Sequence, residues 1–468
     1  MPGGIELSLL GALALPVVAA LIAHGGLFPR GQTAFAVVSV AAVIAVAALV
    51  GWTGAAWRNP VIMSLAGLAA ISALSAAWTI ASPGDALRWA AVIAALVLVA
   101  LSASIVAERI GAEPIAALVA VLAIAAGLVG LYGVGARVEP LAQRLGGQWS
   151  AGGPLEYAPA LALIQVSSLP MLMAAMARSR NGPAGLGAAG AGVAGAVLAL
   201  AGSRVELAIG IAVVVACTVT ARRWMGIGAP TILAAAGLAV TAGGLADAVA
   251  GSYVRPYAVG GDVPRLAGLA GIVIGAPVLW LLQRRAMRTR SSGPGWHRTL
   301  AIAALTLPVT AALLAAALTP DSGPQAEPVS GFAHGRPALW EAAVDAGADR
   351  PLAGSGSLSF YEASLPYQDP PAVRFAHNLP LESWVELGAA GAILIAILYA
   401  GSGALVWSRR GSAAAWLLGP GALAFLLANL FDWPWHLPAA GAVFALCIGG
   451  LAGTPAMSAR AGPDPPKR

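Results

Sequence analysis

Charge, cysteine and lysine are all scarce in this sequence. Only 10% of its 468 residues are charged, and 59% are hydrophobic. Soluble domains carry about 25% charged residues, so this composition excludes an ordinary soluble fold. The two cysteines, Cys217 and Cys447, lie inside apolar runs, and neither a disulfide framework nor a metal site is indicated. Lys467 is the only lysine, and the arginines lie in short gaps between apolar runs, which argues against nucleic-acid binding.

Long apolar runs are what the sequence has instead. Runs of about 20 residues recur along the chain, and each is long enough to cross a bilayer as a helix. They are continuous rather than alternating, which favours helices over a closed barrel. We therefore predict an all-α polytopic membrane protein with about 12–14 transmembrane helices, fourteen if every run is a span. The predicted spans include 228–250 and 299–319, and the runs 184–202 and 204–221 could be two short spans or one broken helix.

The positive-inside rule gives the predicted bundle an orientation. The most basic connector, 284–298, is placed in the cytoplasm, and alternation then puts sixteen Lys and Arg inside and ten outside. We predict a transmembrane bundle of about eleven helices over 1–319 and an external, periplasmic loop over 320–384. The last three transmembrane helices follow over 385–453, and a cytoplasmic tail over 454–468.

The long external loop has the composition of an ordered segment, rich in proline, glycine, aromatics and charge. Arg336–Asp349 predicts a short helix within it, with one face formed by Leu339, Trp340, Ala343 and Val344. Pro351 and Gly354-Ser-Gly356 end that helix. Long loops inside a compact fold are usually functional, so we expect this loop to contribute to the site.

Arginines on the external side are the first candidates for chemistry. Arg204 lies between two apolar runs with Glu206 two residues on. It is either functional or an interfacial residue that snorkels to the headgroups or pairs with Glu206. The planar guanidinium binds phosphate oxygens in bidentate fashion, so converging external arginines would suit a lipid diphosphate. The alternative is solvated loop charge. The other external arginines in the longer connectors are Arg137, Arg144, Arg255, Arg265, Arg336, Arg350 and Arg374.

His377 is the most suggestive of five histidines. It stands just before a predicted transmembrane helix, with Glu382 and Glu386 following. A histidine titrating near neutral pH suits a general base for a hydroxyl acceptor, although a lone loop histidine is more often structural. His436 follows Asp432-Trp-Pro-Trp435, where aromatics are typical of an interfacial belt. The sequence has no HExxH, CxxC or clustered carboxylates, so we expect neither metal nor cofactor.

The surroundings of His377 resemble a known family. His377-Asn378, followed after nine residues by Gly388 and then by Gly391, resembles the signature of the O-antigen ligase / O-antigen polymerase family. These are bacterial membrane glycosyltransferases of the GT-C type. The resemblance extends over roughly residues 140–440.

Further motifs follow in the family's order. Ala201-Gly-Ser-Arg204 resembles the family's Ser-Arg at a helix end, and Arg336…Trp340 with Pro351-Leu-Ala-Gly354-Ser-Gly356 resembles the first half of its large periplasmic loop. Leu430-Phe-Asp432…Pro438 resembles its late Asp-containing turn. Arg144-Leu-Gly-Gly resembles its earlier Arg-Leu-x-Gly, although the family's Asn-Pro-Asn is here Gly152-Gly-Pro154.

The resemblance implies transfer of a glycan from an undecaprenyl-diphosphate carrier to a hydroxyl acceptor, lipid-linked or polysaccharide, at the outer face of the bacterial inner membrane. It implies inversion and no metal. Arg204 and Arg336 would bind the diphosphate, with Arg265 or Arg144 assisting. His377 would activate the acceptor, and Asn378, Glu382 and Asp432 would support it.

Three alternatives stay open at this point. A polymerase or a protein O-oligosaccharyltransferase shares the same signature. A lipid-linked glycan flippase could also have about fourteen helices and a cationic cavity, although transporters often show internal repeats and this chain has no convincing one. A scaffold would leave His377 and Arg336 far apart and solvated.

Overall fold

The computed structural model of the chain describes residues 3–52, 55–145, 148–178, 181–225, 238–239, 242–247, 262–288 and 335–455. The predicted span 299–319 lies outside the described residues. Of the predicted span 228–250, only residues 238–239 and 242–247 are described, and they are helical.

The described chain is almost entirely helical. The helices are α1 (Gly4–Ile22), α2 (Pro29–Val50), α3 (Pro60–Ser75), α4 (Pro83–Ile110), α5 (Glu113–Ala136), α6 (Ala158–Arg178), α7 (Asn181–Leu200), α8 (Arg204–Met225), α9 (Asp262–Arg288), α10 (Arg336–Asp349), α11 (Phe360–Ser364), α12 (Leu379–Ser408), α13 (Ala413–Ala428) and α14 (Pro438–Ala452). One hairpin, β1 (Ala142–Leu145) and β2 (Gln148–Ala151), lies between α5 and α6.

Six of these helices, namely α1, α2, α4, α5, α6 and α12, are long and apolar enough to cross a membrane. Shorter apolar helices include α3, α13 and α14. The predicted all-α polytopic membrane fold is confirmed. Near Gly202 the chain forms two helices, because α7 ends at Leu200, Gly202 has φ +66°, and α8 begins at Arg204. The Trp416 indole at the start of α13 donates to the Cys217 carbonyl of α8.

The connectors gather at two ends of the bundle. At one end, the Ile80 amide donates to the Ser355 carbonyl at 2.9 Å, and the Tyr157 hydroxyl donates to Asp432. At the other end, the Arg109 guanidinium donates to the Val50 carbonyl. We call the first the loop end, because it carries the segment 335–378. The side of the membrane that the loop end faces stays a prediction.

Helix α4 forms the centre of the bundle and packs against α2, α3 and α14. Small residues allow the approach of α14, since a Cβ at Gly449 would lie only 2.1 Å from the Ala100 carbonyl oxygen. Close helix packing through small residues is the usual solution in membranes, where lipid offers no hydrophobic drive between helices.

Helix α10 spans the predicted residues, Arg336–Asp349, but its buried face differs from the predicted one in part. Leu339 and Ala343 are buried as predicted, whereas Val344 is 46% exposed. The reason is the contact with α12: a Cβ at Gly347 would lie 2.6 Å from the Trp384 ring. That contact turns Ala346 and Gly347, rather than Val344, toward the core.

The loop segment 351–356 crosses a break in α12. Gly388 has φ +60° and ψ −152°, and a Cβ there would lie 2.2 Å from the Leu352 carbonyl oxygen. The Ser355 amide donates to the Val385 carbonyl at 2.9 Å, and the Ala389 amide donates to the Leu352 carbonyl at 3.2 Å. The loop therefore satisfies backbone groups that the break leaves outside the helix.

Replacing Gly388 by alanine should destabilise the protein. Its backbone region is essentially reserved for glycine and costs about 1–3 kcal/mol for other residues. Thermal unfolding in detergent, followed by fluorescence-detected gel filtration, would measure the loss. Gly403→Ala is the matched control, because Gly403 lies in the same helix with open space around its Cβ position. Equal melting temperatures for the two variants would contradict the role of the break.

Candidate functional site

Polar side chains from five parts of the chain lie in one region at the loop end. They belong to the approach to α12, the turn between α13 and α14, the first turn of α10, the residue before α6 and the first turn of α8. The side chains are His377, Asp432, Arg336, Tyr157 and Glu206.

His377 lies immediately before the cap of α12 and is half-buried. Its backbone is left-handed, with φ +52°, an uncommon conformation for a residue with a side chain. Its Nδ1 lies 3.1 Å from Oδ1 of Asp432, which is 4% exposed. Among the described residues Nδ1 has no hydrogen bond of good geometry, so the contact is a close approach of charge partners. It becomes an ion pair when the imidazole is protonated.

Asp432 is held in place by other donors. The Tyr157 hydroxyl donates to both carboxylate oxygens at 2.6 and 2.8 Å, and the Trp433 amide donates to Oδ1 at 2.9 Å. Tyr157 lies directly before α6, and burial, followed by the neighbouring Asp432 charge, raises the pKa of its phenol well above the ordinary value. The phenol therefore stays protonated and remains a donor to Asp432.

The His377 loop is tied to the α13–α14 turn. The Asn378 side chain caps α12 by accepting from the Leu381 amide at 3.0 Å, and it donates to the Leu430 carbonyl at 3.1 Å. The Leu379 amide donates to the Asn429 carbonyl at 2.8 Å. These bonds fix where His377 stands relative to Asp432.

Glu382 and His436 form a buried pair behind that loop. One Glu382 oxygen contacts Nε2 of His436, and the other accepts from the Ala376 amide at 2.8 Å. The interpretation of His436 as an interfacial residue is wrong, because the side chain is only 4% exposed. It is enclosed because Asn429 accepts from the Trp435 amide at 2.8 Å, which turns this segment into the bundle.

Arg336 opens α10 and is half-buried. Its positive charge partly opposes the rise in the pKa of the Tyr157 phenol. One turn further along, the Trp340 indole donates to the Ala376 carbonyl at 3.1 Å, next to His377. Arg336 and His377 therefore belong to one region of the structure, as the functional reading of the sequence requires.

Glu206 and Arg204 do not pair, so the pairing form of the interfacial alternative is wrong, while the form in which Arg204 snorkels to the headgroups stays open. Glu206 is 1% exposed, and one of its oxygens accepts from the Ser203 hydroxyl. Its Oε1 has no hydrogen-bond partner among the described residues. Arg204 is exposed at the start of α8. The two side chains thus point to different surroundings, and Arg204 stays accessible to a ligand.

The structure describes only the backbone of the other two arginines that were predicted to assist diphosphate binding. Arg144 lies on β1, paired with Trp149 of β2. Arg265 falls in the first turn of α9, which begins at Asp262, rather than in a connector. Their side chains lie outside the described part of the structure.

The sequence did not predict that Tyr157 and Glu206 lie close to the site. Glu206 carried a signal, since an acidic residue at the start of an apolar run is a functional candidate by default. Tyr157 carried none, because 275 residues separate it from Asp432. In the described part of the chain, no group of three or more His, Cys, Asp or Glu side chains could hold a metal ion.

Asn378→Ala should destabilise the protein more than the loss of an ordinary helix cap. It removes a cap, worth about 0.5–2 kcal/mol, and also the bond to the Leu430 carbonyl. Asn59→Ala is the control, because the Asn59 side chain caps α3 at the opposite end and makes no other hydrogen bond among the described residues. Melting temperatures in detergent compare the two. If both variants lose the same stability, the bond to Leu430 contributes nothing.

A comparison with protein families gives one match. The O-antigen ligase family model matches residues 264–396, which include α10, α11 and the first half of α12. The matched segment holds Arg265, Arg336, His377, Asn378 and Glu382, while Arg144, Arg204 and Asp432 lie outside it. A comparison with curated proteins gives no match. The family match confirms the resemblance of this chain to the O-antigen ligase family and supports a membrane glycosyltransferase-like function.

Proposed function

We propose that the protein transfers a glycan from an undecaprenyl-diphosphate carrier to a hydroxyl acceptor, as O-antigen ligases do. The reaction inverts the anomeric carbon, uses no metal and takes place at the outer face of the bacterial inner membrane. The observation that carries the proposal is the close approach of His377 and buried Asp432, in the same region as Arg336. The family match over 264–396 supports it independently.

His377 acts as the general base in this proposal. With Nδ1 facing Asp432, Nε2 is the ring nitrogen left to take the proton of the acceptor hydroxyl. The hydroxyl oxygen then attacks the anomeric carbon, while the bond from that carbon to the diphosphate oxygen breaks. The Asp432 carboxylate stabilises the imidazolium that forms. Tyr157 keeps Asp432 oriented by donating to both of its oxygens.

Arginines neutralise the leaving diphosphate. Arg336 is half-buried and Arg204 is exposed at a helix start, so both can reach a ligand at the loop end. Oriented cations in a partly dry site stabilise developing negative charge far better than in water. Arg265 and Arg144 would assist. Asn378 and Glu382 support His377 through the loop that carries it.

A polymerase or a protein O-oligosaccharyltransferase would use the same residues, and only the acceptor would differ. A lipid-linked glycan flippase is the alternative of another class. Transporter sites lie near the bilayer midplane between repeats. The described polar cluster lies instead at one end of the bundle, which favours transfer over transport.

Substitution of Arg336 or His377 should abolish most of the transfer activity. Arg336→Ala should lower the rate about 10²–10³-fold, as expected for a lost contact to developing charge. His377→Ala should lower it about 10²–10⁴-fold through loss of the base. The control is Arg350→Ala, an exposed arginine at the end of α10. Unchanged transfer by folded His377→Ala and Arg336→Ala variants would refute the proposal.

Purified protein in detergent micelles separates transferase from flippase. A transferase consumes a defined undecaprenyl-diphosphate glycan and yields a new product without any sealed membrane. Mass spectrometry of the product identifies the acceptor, and its size distinguishes one ligation step from polymerisation. If no product forms, and the lipid-linked glycan only moves from one leaflet to the other in sealed vesicles, the protein is a flippase.

A further inference from the structure

The backbone of Ala376, the residue before His377, is held by hydrogen bonds at both its amide and its carbonyl. The Ala376 amide donates to Glu382 at 2.8 Å, and the Ala376 carbonyl accepts from the Trp340 indole at 3.1 Å. His377 follows with its left-handed backbone. Such a conformation persists only where the surroundings over-determine it. The two bonds to Ala376 supply part of that constraint.

Glu382 is in turn held by His436. The pair is almost fully buried, with 5% of each side chain exposed. An acidic side chain in such surroundings needs a bonded partner, because burial of an unpaired carboxylate is costly. The position of the Glu382 carboxylate therefore depends on its contact with His436, and the hydrogen bond of the Ala376 amide depends on that carboxylate.

Stacked rings fix His436 itself. Its ring lies between those of Trp89 in α4 and Phe375, at centroid distances of 5.2 and 4.1 Å and interplanar angles of 27° and 21°. Phe375 stacks in turn on Trp433, at 5.1 Å. This stack therefore connects the His377 loop to α4, the helix that packs against α2, α3 and α14.

We propose that Glu382 and His436 are positioning residues for His377, and that they act by holding the Ala376–His377 peptide against the α13–α14 turn. This inference rests on the proposed role of His377 in transfer. His436 does not touch the reacting atoms; it acts through Glu382. Loss of the Glu382–His436 contact lets the loop relax, and the imidazole moves away from Asp432.

The first test does not use activity. Diethyl pyrocarbonate modifies accessible imidazoles, and mass spectrometry gives the rate for each histidine. His436→Phe keeps an aromatic ring between Trp89 and Phe375 but cannot bond Glu382. We expect His377 to react several-fold faster in this variant than in wild type. His24, whose side chain is 56% exposed at the same end of the bundle, is the internal reference and should not change.

The second test is a double-mutant cycle on transfer. His436→Phe should lower kcat about 10–100-fold with the donor KM little changed, because a small misplacement of a reacting group is enough to cost this much. In the His377→Ala background the same substitution should have no further effect, since groups that act as a unit are not additive. A purely structural role would instead lower activity equally in both backgrounds.

Conservative variants test the chemistry of the pair. His436→Gln keeps a donor near the position of Nε2, and it should restore the wild-type reactivity of His377. Glu382→Gln keeps an acceptor for the Ala376 amide and should also stay close to wild type, whereas Glu382→Ala should behave like His436→Phe. His436→Met fills a similar space and replaces His436→Phe if that variant does not fold.

The outcomes separate this inference from the proposed function. Wild-type reactivity of His377 in folded His436→Phe, or equal losses in both backgrounds of the cycle, would overturn the positioning role. Full transfer activity of His377→Ala would overturn the proposed function. The modification experiment would still report whether the pair holds the loop.

Discussion

The bonds that tie the start of α12 to the turn between α13 and α14 are the constraint on which the site depends. Asn378 reaches the Leu430 carbonyl, and the Leu379 amide reaches the Asn429 carbonyl. Both are hydrogen bonds between segments about fifty residues apart in sequence. They help to hold His377 beside the buried Asp432. The other arrangements at the loop end build on this junction.

Aromatic rings complete the junction. The rings of Trp89, His436, Phe375, Trp433 and Tyr157 follow one another at centroid distances between 4.1 and 5.2 Å. They run from the central helix α4 to the residue that donates to Asp432. Stacked rings bury large areas at little cost in conformational entropy, because each ring has few rotatable bonds. These rings therefore give the polar side chains of the site rigid neighbours in a bundle that otherwise contains mostly small side chains.

The sequence predicted the helices well because lipid leaves few alternatives to long apolar runs. It also predicted α10, from the spacing of apolar residues. It indicated His377 and Arg336 because their motifs stand in an order that resembles a family, and the roles of the two residues stay predictions. It did not predict the β1–β2 hairpin, which is too short to show a period. Val344 was misplaced because the contact of Gly347 with Trp384, and not the helical period alone, decides the buried face.

The site itself was predictable only in part. Tyr157, Glu206 and His436 gain their significance from partners far away in the chain, and single-sequence patterns carry no information on such pairs. Aromatic residues near a helix end gave His436 the appearance of an interfacial residue. Its burial follows from the fold of the 429–436 turn, which no local pattern specifies.

The break at Gly388 has a consequence for how the loop can vary in length. Residues 351–356 and 385–389 exchange backbone bonds at fixed positions, so an insertion of one residue in either segment would shift every bond of the crossing. The path from there to His377 includes residues 365–374, which are mostly exposed. Surface loops absorb added residues at small entropic cost. Variation in length among proteins built this way is therefore expected between the crossing and the histidine, and not within α12 ahead of its break.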